Sequence, residues 1–186
     1  IKLTWIVRRE IVLFIILQKK YNRMKKLLLT ALFVLGMVLN ASAQLPKVTL
    51  KSIDGKTVST DTLSNNGKPF IIDFFATWCK PCNRELTAIS EVYEDWQAET
   101  GVKIFAISID QAQNSNKVKP LVDNHGWQYD VLLDPNSDFK RALGVQTIPY
   151  VIVCDGKGNI VSKHNGYTEG AEEELIEEVR KLVGKK

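Results

Sequence analysis

Alternating and continuous apolar positions divide the chain from residue 47 onward into short predicted strands. Apolar and polar residues alternate on both sides of Asp54-Gly55, which predicts a β-hairpin over 47–58. The segments 70–75 (FIIDFF) and 102–109 (VKIFAISI) are almost continuously apolar, as buried central strands are. Shorter apolar stretches at 131–133, 150–154 and 160–164 predict three more strands, the last two joined by the turn DGKGN.

Apolar residues spaced three and four apart predict the helices. One begins at the cysteines near residue 80 and ends before Gly101. Further helices are predicted over about 116–124, from Asp138 through residue 143 with Asp138 as the cap, and over 171–183. Strand, helix, strand, helix and strand, then a hairpin and a last helix, predict an α/β sandwich around a mixed sheet.

The first 43 residues have the features of targeting sequence. Met24 opens the segment MKKLLLTALFVLGMVLNASAQ, with two lysines, an apolar stretch and an Ala-Ser-Ala cleavage site. This pattern is typical of a secretory signal peptide. We expect a signal peptide at 24–43 cleaved between Ala43 and Gln44, a mature domain at 44–186, and a mis-started upstream segment at 1–23. Export implies a periplasmic or otherwise extracytoplasmic location.

Removing the targeting segment reverses the net charge. Of the 25 Lys and Arg residues eight precede Gln44, and of the 21 Asp and Glu residues only Glu10 does. The mature domain therefore has 17 basic and 20 acidic residues, a net charge near −3. Nucleic-acid binding would need a basic surface, so the charge gives no support for it.

The motif Cys79-Lys-Pro-Cys82 admits three interpretations. A zinc site would need a second pair of ligands, and Cys154 and the two histidines do not supply one at the usual spacing. A structural disulfide here would close so small a loop that it would stabilise the fold little. A redox pair suits the position best, because a helix N-terminus favours the thiolate form of the first cysteine. We therefore predict no metal and no cofactor.

Two motifs resemble those of the thioredoxin superfamily. The segment DFFATWCKPC, residues 73–82, is similar to its active-site segment, and Thr147-Ile148-Pro149 is similar to its cis-proline loop. Within the superfamily the chain is most similar to exported TlpA/ResA-like thiol-disulfide oxidoreductases, which also have an acidic residue at the position of Glu85. The resemblance implies a thioredoxin-like three-layer sandwich with a central mixed sheet, an N-terminal hairpin and an αβ insertion between residues 110 and 134.

The resemblance also implies roles for individual residues. Cys79 would be the nucleophile and Cys82 the resolving thiol of a redox-active Cys79–Cys82 disulfide. Asp73, whose pKa burial should raise, would accept the proton of Cys82. An alternative for Asp73 is a strand-end carboxylate held by a backbone cap or a salt bridge.

The remaining predicted site residues would contact substrate. Pro149 would shape the peptide-binding groove, Ile148 would present its backbone to the substrate, and Trp78 would line the approach. Trp78 could instead be ordinary aromatic packing. Cys154 is expected to be a small buried apolar residue.

The sequence favours a reductase that passes electrons from a membrane-bound donor to disulfides of exported proteins. A disulfide-forming oxidase of the DsbA type is the first alternative. A thiol peroxidase is a second, although no proline precedes Cys79 at the spacing of that motif. A non-enzymatic binding module with a structural disulfide is a third.

Overall fold

The computed structural model describes residues 17–26 and 44–184. The chain divides into two units, Ile1–Ser42 and Ala43–Lys186. In the first unit the described residues 17–26 are helical, and most of the predicted signal peptide lies outside the described residues. Within the described ranges no helix is both long enough and apolar enough to cross a lipid bilayer.

The second unit is built on a seven-stranded mixed sheet in the order β2-β1-β5-β4-β3-β6-β7. Strands β3, β4 and β5 are parallel, and the neighbouring pairs on either side of them are antiparallel. The predicted N-terminal hairpin is confirmed as β1 and β2. The strands are β1 (Thr49–Ser52), β2 (Thr57–Ser59), β3 (Phe70–Phe75), β4 (Lys103–Ser108), β5 (Asp130–Leu133), β6 (Tyr150–Cys154) and β7 (Ile160–Asn165).

Four α-helices of the second unit connect and cover these strands. The longest begins at the cysteine motif and ends at Gly101, which caps it in the left-handed conformation at φ 69°. The helices are α1 (Lys80–Thr100), α2 (Val118–His125), α3 (Asp138–Ala142) and α4 (Ala171–Val183). Short 3₁₀ turns lie at Thr60–Thr62 and Ser115–Lys117.

Side-chain alternation along β3 divides the core into two layers. Ile71 and Phe75 face the layer that α1, α2 and α4 cover. Phe70, Ile72 and Phe74 face the opposite layer, which contains Phe139 of α3. Because β3 is central and covered on both faces, all six of its residues are buried. The predicted three-layer sandwich with a mixed sheet is confirmed.

The predicted cap of α3 is wrong. Ser137 is the N-cap residue and makes no side-chain cap bond, and Asp138 is the first residue of the helix. The capping carboxylate is the buried Asp134, whose oxygens accept from the backbone N–H groups of Asp138 at 2.7 Å and Lys140 at 3.0 Å. Asp134 follows the end of β5 and lies four residues before the first residue of the helix. Side-chain caps usually come from the residue directly before the helix, so the sequence pattern does not identify Asp134 as the acceptor.

Candidate active site

Cys79 and Cys82 form a disulfide at the N-terminus of α1. Cys79 is the N-cap residue, and its Sγ accepts from the backbone N–H of Cys82 at 3.3 Å. Pro81 lies in the first turn, where its missing N–H has no helical partner to lose. Cys79 is 5% exposed and Cys82 is fully buried, so Cys79 is the more accessible residue of the pair.

A buried carboxylate fixes the loop that precedes the disulfide. Asp110, 1% exposed, accepts from the backbone N–H of Thr77 at 2.8 Å and from its hydroxyl at 2.6 Å. The hydroxyl of Ser108 donates to the same carboxylate at 2.9 Å. These bonds join the end of β4 to the residues immediately before Cys79. Asp110 was not among the predicted site residues, although an acidic residue directly after a buried strand was a usable signal.

Two carboxyl groups are buried on the same face of the sheet as the disulfide. Asp73 lies two residues from both Ile71 and Phe75 on β3, so the three side chains share one face of the sheet. Ile71 and Phe75 belong to the core layer that contains both cysteines. Glu85 lies on the buried side of α1, one turn after Cys82, and is 2% exposed. Asp73 is 0% exposed. Across residues 17–26 and 44–184, no hydrogen-bond partner meets either oxygen of Asp73 or Oε2 of Glu85.

Burial raises the pKa of both carboxyl groups. The pKa of Asp73 is raised to about 8 by desolvation. Desolvation also raises the pKa of Glu85 to about 10, with smaller contributions from the charges of Asp73 and Glu172. Two carboxyl groups in one apolar layer disfavour each other's ionised form, so both are largely protonated at neutral pH. Asp73 makes no hydrogen bond to any described residue, so the alternative in which a backbone cap or a salt bridge holds its carboxylate does not fit.

The remaining predicted substrate contacts are the loop at Ile148 and Pro149 and the side chain of Trp78. The peptide bond between Ile148 and Pro149 is cis, and Ile148 packs against both core layers. Trp78 is 65% exposed, so it is not ordinary core packing. Its side chain lines a groove of about 760 Å³ whose other walls are the segments after β4 and β5. The groove residues are Trp78, Ile109, Gln111, Ala112, Gln113, Asn114, Pro135, Asn136, Ser137 and Arg141.

Cys154 lies away from this site. It is fully buried on β6 in the second core layer, beside Phe70 of β3. Burial raises the pKa of its thiol to about 12, so the reactive thiolate is scarce at neutral pH. In the described part of the chain, no three His, Cys, Asp or Glu side chains group as a metal site.

Comparison with known proteins agrees with this geometry. Residues 41–163 match the AhpC/TSA family. A thioredoxin-like protein from Porphyromonas gingivalis, known from its solution structure, is 63% identical. The alignment covers 78% of this chain and 95% of that protein, with a TM-score of 0.69.

Two more distant proteins are similar over most of the chain. The thiol-disulfide oxidoreductase ResA of Halalkalibacterium halodurans is 27% identical over 143 residues, 77% of each chain. StoA of Bacillus subtilis, at 23% identity and a TM-score of 0.57, shares the fold over 72% of this chain and 96% of its own. The predicted thioredoxin-like family is confirmed, and the chain belongs to the AhpC/TSA family of thioredoxin-like proteins.

Proposed function

We propose that the protein is an extracytoplasmic thiol-disulfide oxidoreductase that reduces disulfides of exported proteins through Cys79 and Cys82. One observation carries the proposal: a disulfide at a helix N-terminus lies in the same core layer as two buried carboxyl groups that lack hydrogen-bond partners among the described residues. A structural disulfide has no need of such groups. The name of the ResA relatives supports the same chemistry.

The first step uses the reduced protein. The thiolate of Cys79 attacks one sulfur of a substrate disulfide, a mixed disulfide forms, and the other substrate sulfur leaves as a thiolate. The N-terminus of α1 favours the attacking anion, because backbone N–H groups such as that of Cys82 point at the Cys79 sulfur.

The second step releases the product. Cys82 loses its proton and attacks the Cys79 sulfur, which frees the second substrate thiolate and leaves the Cys79–Cys82 disulfide. Two electrons have then passed to the substrate. Asp73 is the group we assign to take the Cys82 proton, and its ionised form, the minor form at neutral pH, is the one that accepts. A carboxyl with a pKa of about 8 is closely matched to a thiol, so the transfer is nearly balanced in free energy. A membrane-bound dithiol donor would then reduce the Cys79–Cys82 disulfide again.

The groove beside Trp78 is suited to the polypeptide around a substrate disulfide. Trp78 offers an exposed apolar face next to Cys79. Amide side chains, among them those of Gln113, Asn114 and Asn136, line other parts of the groove, together with Arg141. Amide side chains both donate and accept hydrogen bonds, which suits an extended backbone of varied sequence. We assign Ile148 and Pro149 to the other side of the approach, as the family resemblance implies.

The decisive test is the reduction potential of the Cys79–Cys82 pair. The purified protein is equilibrated with thiol buffers at pH 7 and followed by tryptophan fluorescence. A value near the −270 mV or so of thioredoxin supports a reductase, whereas a value near about −120 mV would assign the oxidase direction. Failure of the pair to cycle would leave a structural disulfide and overturn the enzymatic proposal.

Variants distinguish the rival chemistries. Cys79→Ser should abolish reduction of a model protein disulfide, and Cys82→Ser should trap the mixed disulfide. Cys154→Val serves as the matched control, because it removes a thiol from the opposite core layer. Rapid peroxide turnover by the Cys82→Ser variant would instead favour a thiol peroxidase.

The location is part of the proposal. We assign 24–43 as a signal peptide, 44–186 as the exported domain and 1–23 as upstream sequence outside the functional protein. Expression of the full chain in a bacterial host, followed by fractionation and mass spectrometry, should recover a periplasmic species that begins at Gln44. Recovery of an uncleaved cytoplasmic chain would contradict export.

A further inference from the structure

The buried carboxyl pair needs a route for protons. Asp73 and Glu85 lie in an apolar layer at 0% and 2% exposure. On the reaction side the cysteines give little access to water, since Cys79 is 5% exposed and Cys82 is fully buried. If the pair accepts a proton in each turnover, that proton has to leave before the next one, and the apolar side chains around the pair cannot carry it.

A cavity reaches Glu85, one member of this pair, from the surface formed by β7 and the start of α4. Its volume is about 350 Å³, and Glu85 is the residue that α1 contributes to its wall. Most of the other lining residues are exposed, so the cavity runs from the surface to a buried carboxyl group that has an unpaired oxygen. They come from β7, the turn after it and the start of α4: Lys163, His164, Asn165, Gly166, Thr168, Ala171, Glu174 and Leu175.

His164 aligns with the pair through the strand register. Asp73 of β3 is paired with Val151 of β6, and Val151 is paired with His164 of β7. Directly paired residues project from the same face of a sheet, so the row places His164 on the face of the carboxyl pair. Two strand spacings separate Asp73 from His164, a distance of about 10 Å.

The side chain of His164 is held by contacts to two neighbouring residues, although it lies close to the turn glycine Gly166. Its Nε2 lies 3.2 Å from Oε2 of Glu178 on α4 and 3.3 Å from the hydroxyl of Ser162. The side chain is 30% exposed, so it contacts both solvent and the interior. Imidazole is the side chain best suited to take up and release protons near neutral pH.

We propose that this cavity is the proton route between the Asp73–Glu85 pair and solvent, and that His164 is the group that exchanges protons at its outer end. The inference rests on the proposed function, because it supplies the exit for the proton that Cys82 loses. The ionised form of Asp73 takes that proton. Glu85 donates its own proton through the cavity toward His164 and is reprotonated by Asp73, and His164 releases a proton to water, so Asp73 is ionised again. No electrons travel with it, so the balance of the thiol exchange is unchanged.

Other ionisable groups face this route from every neighbouring element. Those on α4 are acidic, and β7 contributes a lysine. The groups are Glu172, Glu174 and Glu178 of α4, Lys163 of β7, Tyr167 of the turn before α4, and Tyr129 beside β5.

The test compares proton release with thiol oxidation in time. The reduced full-length protein is mixed in nearly unbuffered solution with an excess of an aromatic disulfide whose product thiols stay ionised at neutral pH, so that oxidation of the protein releases its protons to water. Tryptophan fluorescence follows oxidation, and phenol red follows the released protons. In the wild type the two signals should coincide. In His164→Gln, whose amide can still donate to Glu178, proton release should lag oxidation by about tenfold or more, and added imidazole should remove the lag.

Two further variants separate the proposal from a general structural effect. His125→Gln removes the other histidine of the chain, which lies on α2, and should show no lag. Ala171→Leu fills the cavity and should show a lag that imidazole does not rescue. Coincident signals in His164→Gln, or an equal lag in His125→Gln, would overturn the proton route and leave the oxidoreductase intact. A wild-type protein that does not oxidise would instead refute the proposed function itself.

Discussion

Replacing Asp73 by asparagine should change how the stability of the oxidised protein depends on pH. The carboxyl has an ordinary pKa of 3.8, and burial raises it to about 8 in the folded protein. Between these values the folded state binds one more proton than the unfolded state. The stabilisation from this proton is complete below pH 3.8 and is lost as the pH rises through about 8.

The size of the effect follows from the proton linkage. Each pH unit inside the window lowers the free energy of unfolding by about 1.4 kcal/mol for one proton. From pH 4.5 to pH 7.5 the wild type should therefore lose about 4 kcal/mol relative to Asp73→Asn, whose amide does not ionise. Glu85 remains in both proteins, and burial, the main cause of its raised pKa, is common to both, so the difference between them reports chiefly on Asp73.

Urea unfolding of the oxidised proteins at pH 4.5, 6 and 7.5, followed by tryptophan fluorescence, measures this difference. Asp54→Asn, a substitution at an exposed turn residue, is the control and should follow the wild type at every pH. If the stability curves of the wild type and Asp73→Asn run parallel across this range, Asp73 is ionised in the folded protein. The assignment of a raised pKa to Asp73, and with it the close match to the Cys82 thiol, would then fail.

Three further substitutions test other parts of the structure. Asp110→Ala leaves three donors without their acceptor, two of them on Thr77. It should lower the free energy of unfolding, measured in urea, by roughly 3 kcal/mol. A loss below about 0.5 kcal/mol would mean that the loop before Cys79 does not depend on the Asp110 carboxylate. Cys154→Val should leave disulfide reduction unchanged. When the reduced native wild type is titrated with a small disulfide, attack by Cys79 and resolution by Cys82 should release two equivalents of thiol rapidly, and Cys154 should react only after denaturation. Glu99→Gln removes a two-bond contact to Arg180, at 2.6 and 2.7 Å, between α1 and α4. The resulting drop in melting temperature should shrink in high salt, and a salt-independent drop would argue against an ionic contribution.

The elements with a regular apolar period could be predicted closely from the sequence. Helix α4 lies over Ala171–Val183, the predicted range, and α1 ends where Gly101 was expected to stop it. Central strand β3 matches its apolar run residue for residue. Each of these elements buries one or both of its faces in the core. The local pattern of apolar residues and the tertiary packing therefore favour the same structure.

The site was only partly predictable. The cysteine pair and Asp73 follow from a short local motif, whereas the cis bond before Pro149 was implied by family resemblance alone. No role was predicted for Glu85, although it is one of the buried positions that recur every three or four residues along α1. Asp110 acts through a loop 33 residues earlier in the chain, and no spacing in the sequence encodes that contact.

The central sheet also separates the three cysteines of the chain into two groups. Cys79 and Cys82 belong to one core layer, and Cys154 belongs to the other. Once the strands have paired, the third sulfur cannot approach the first two without breaking the sheet between them, so disulfide scrambling is confined to the unfolded chain. An odd cysteine is therefore compatible with an oxidising environment: folding itself protects the correct pairing, and the rate of folding relative to oxidation decides the yield of active protein.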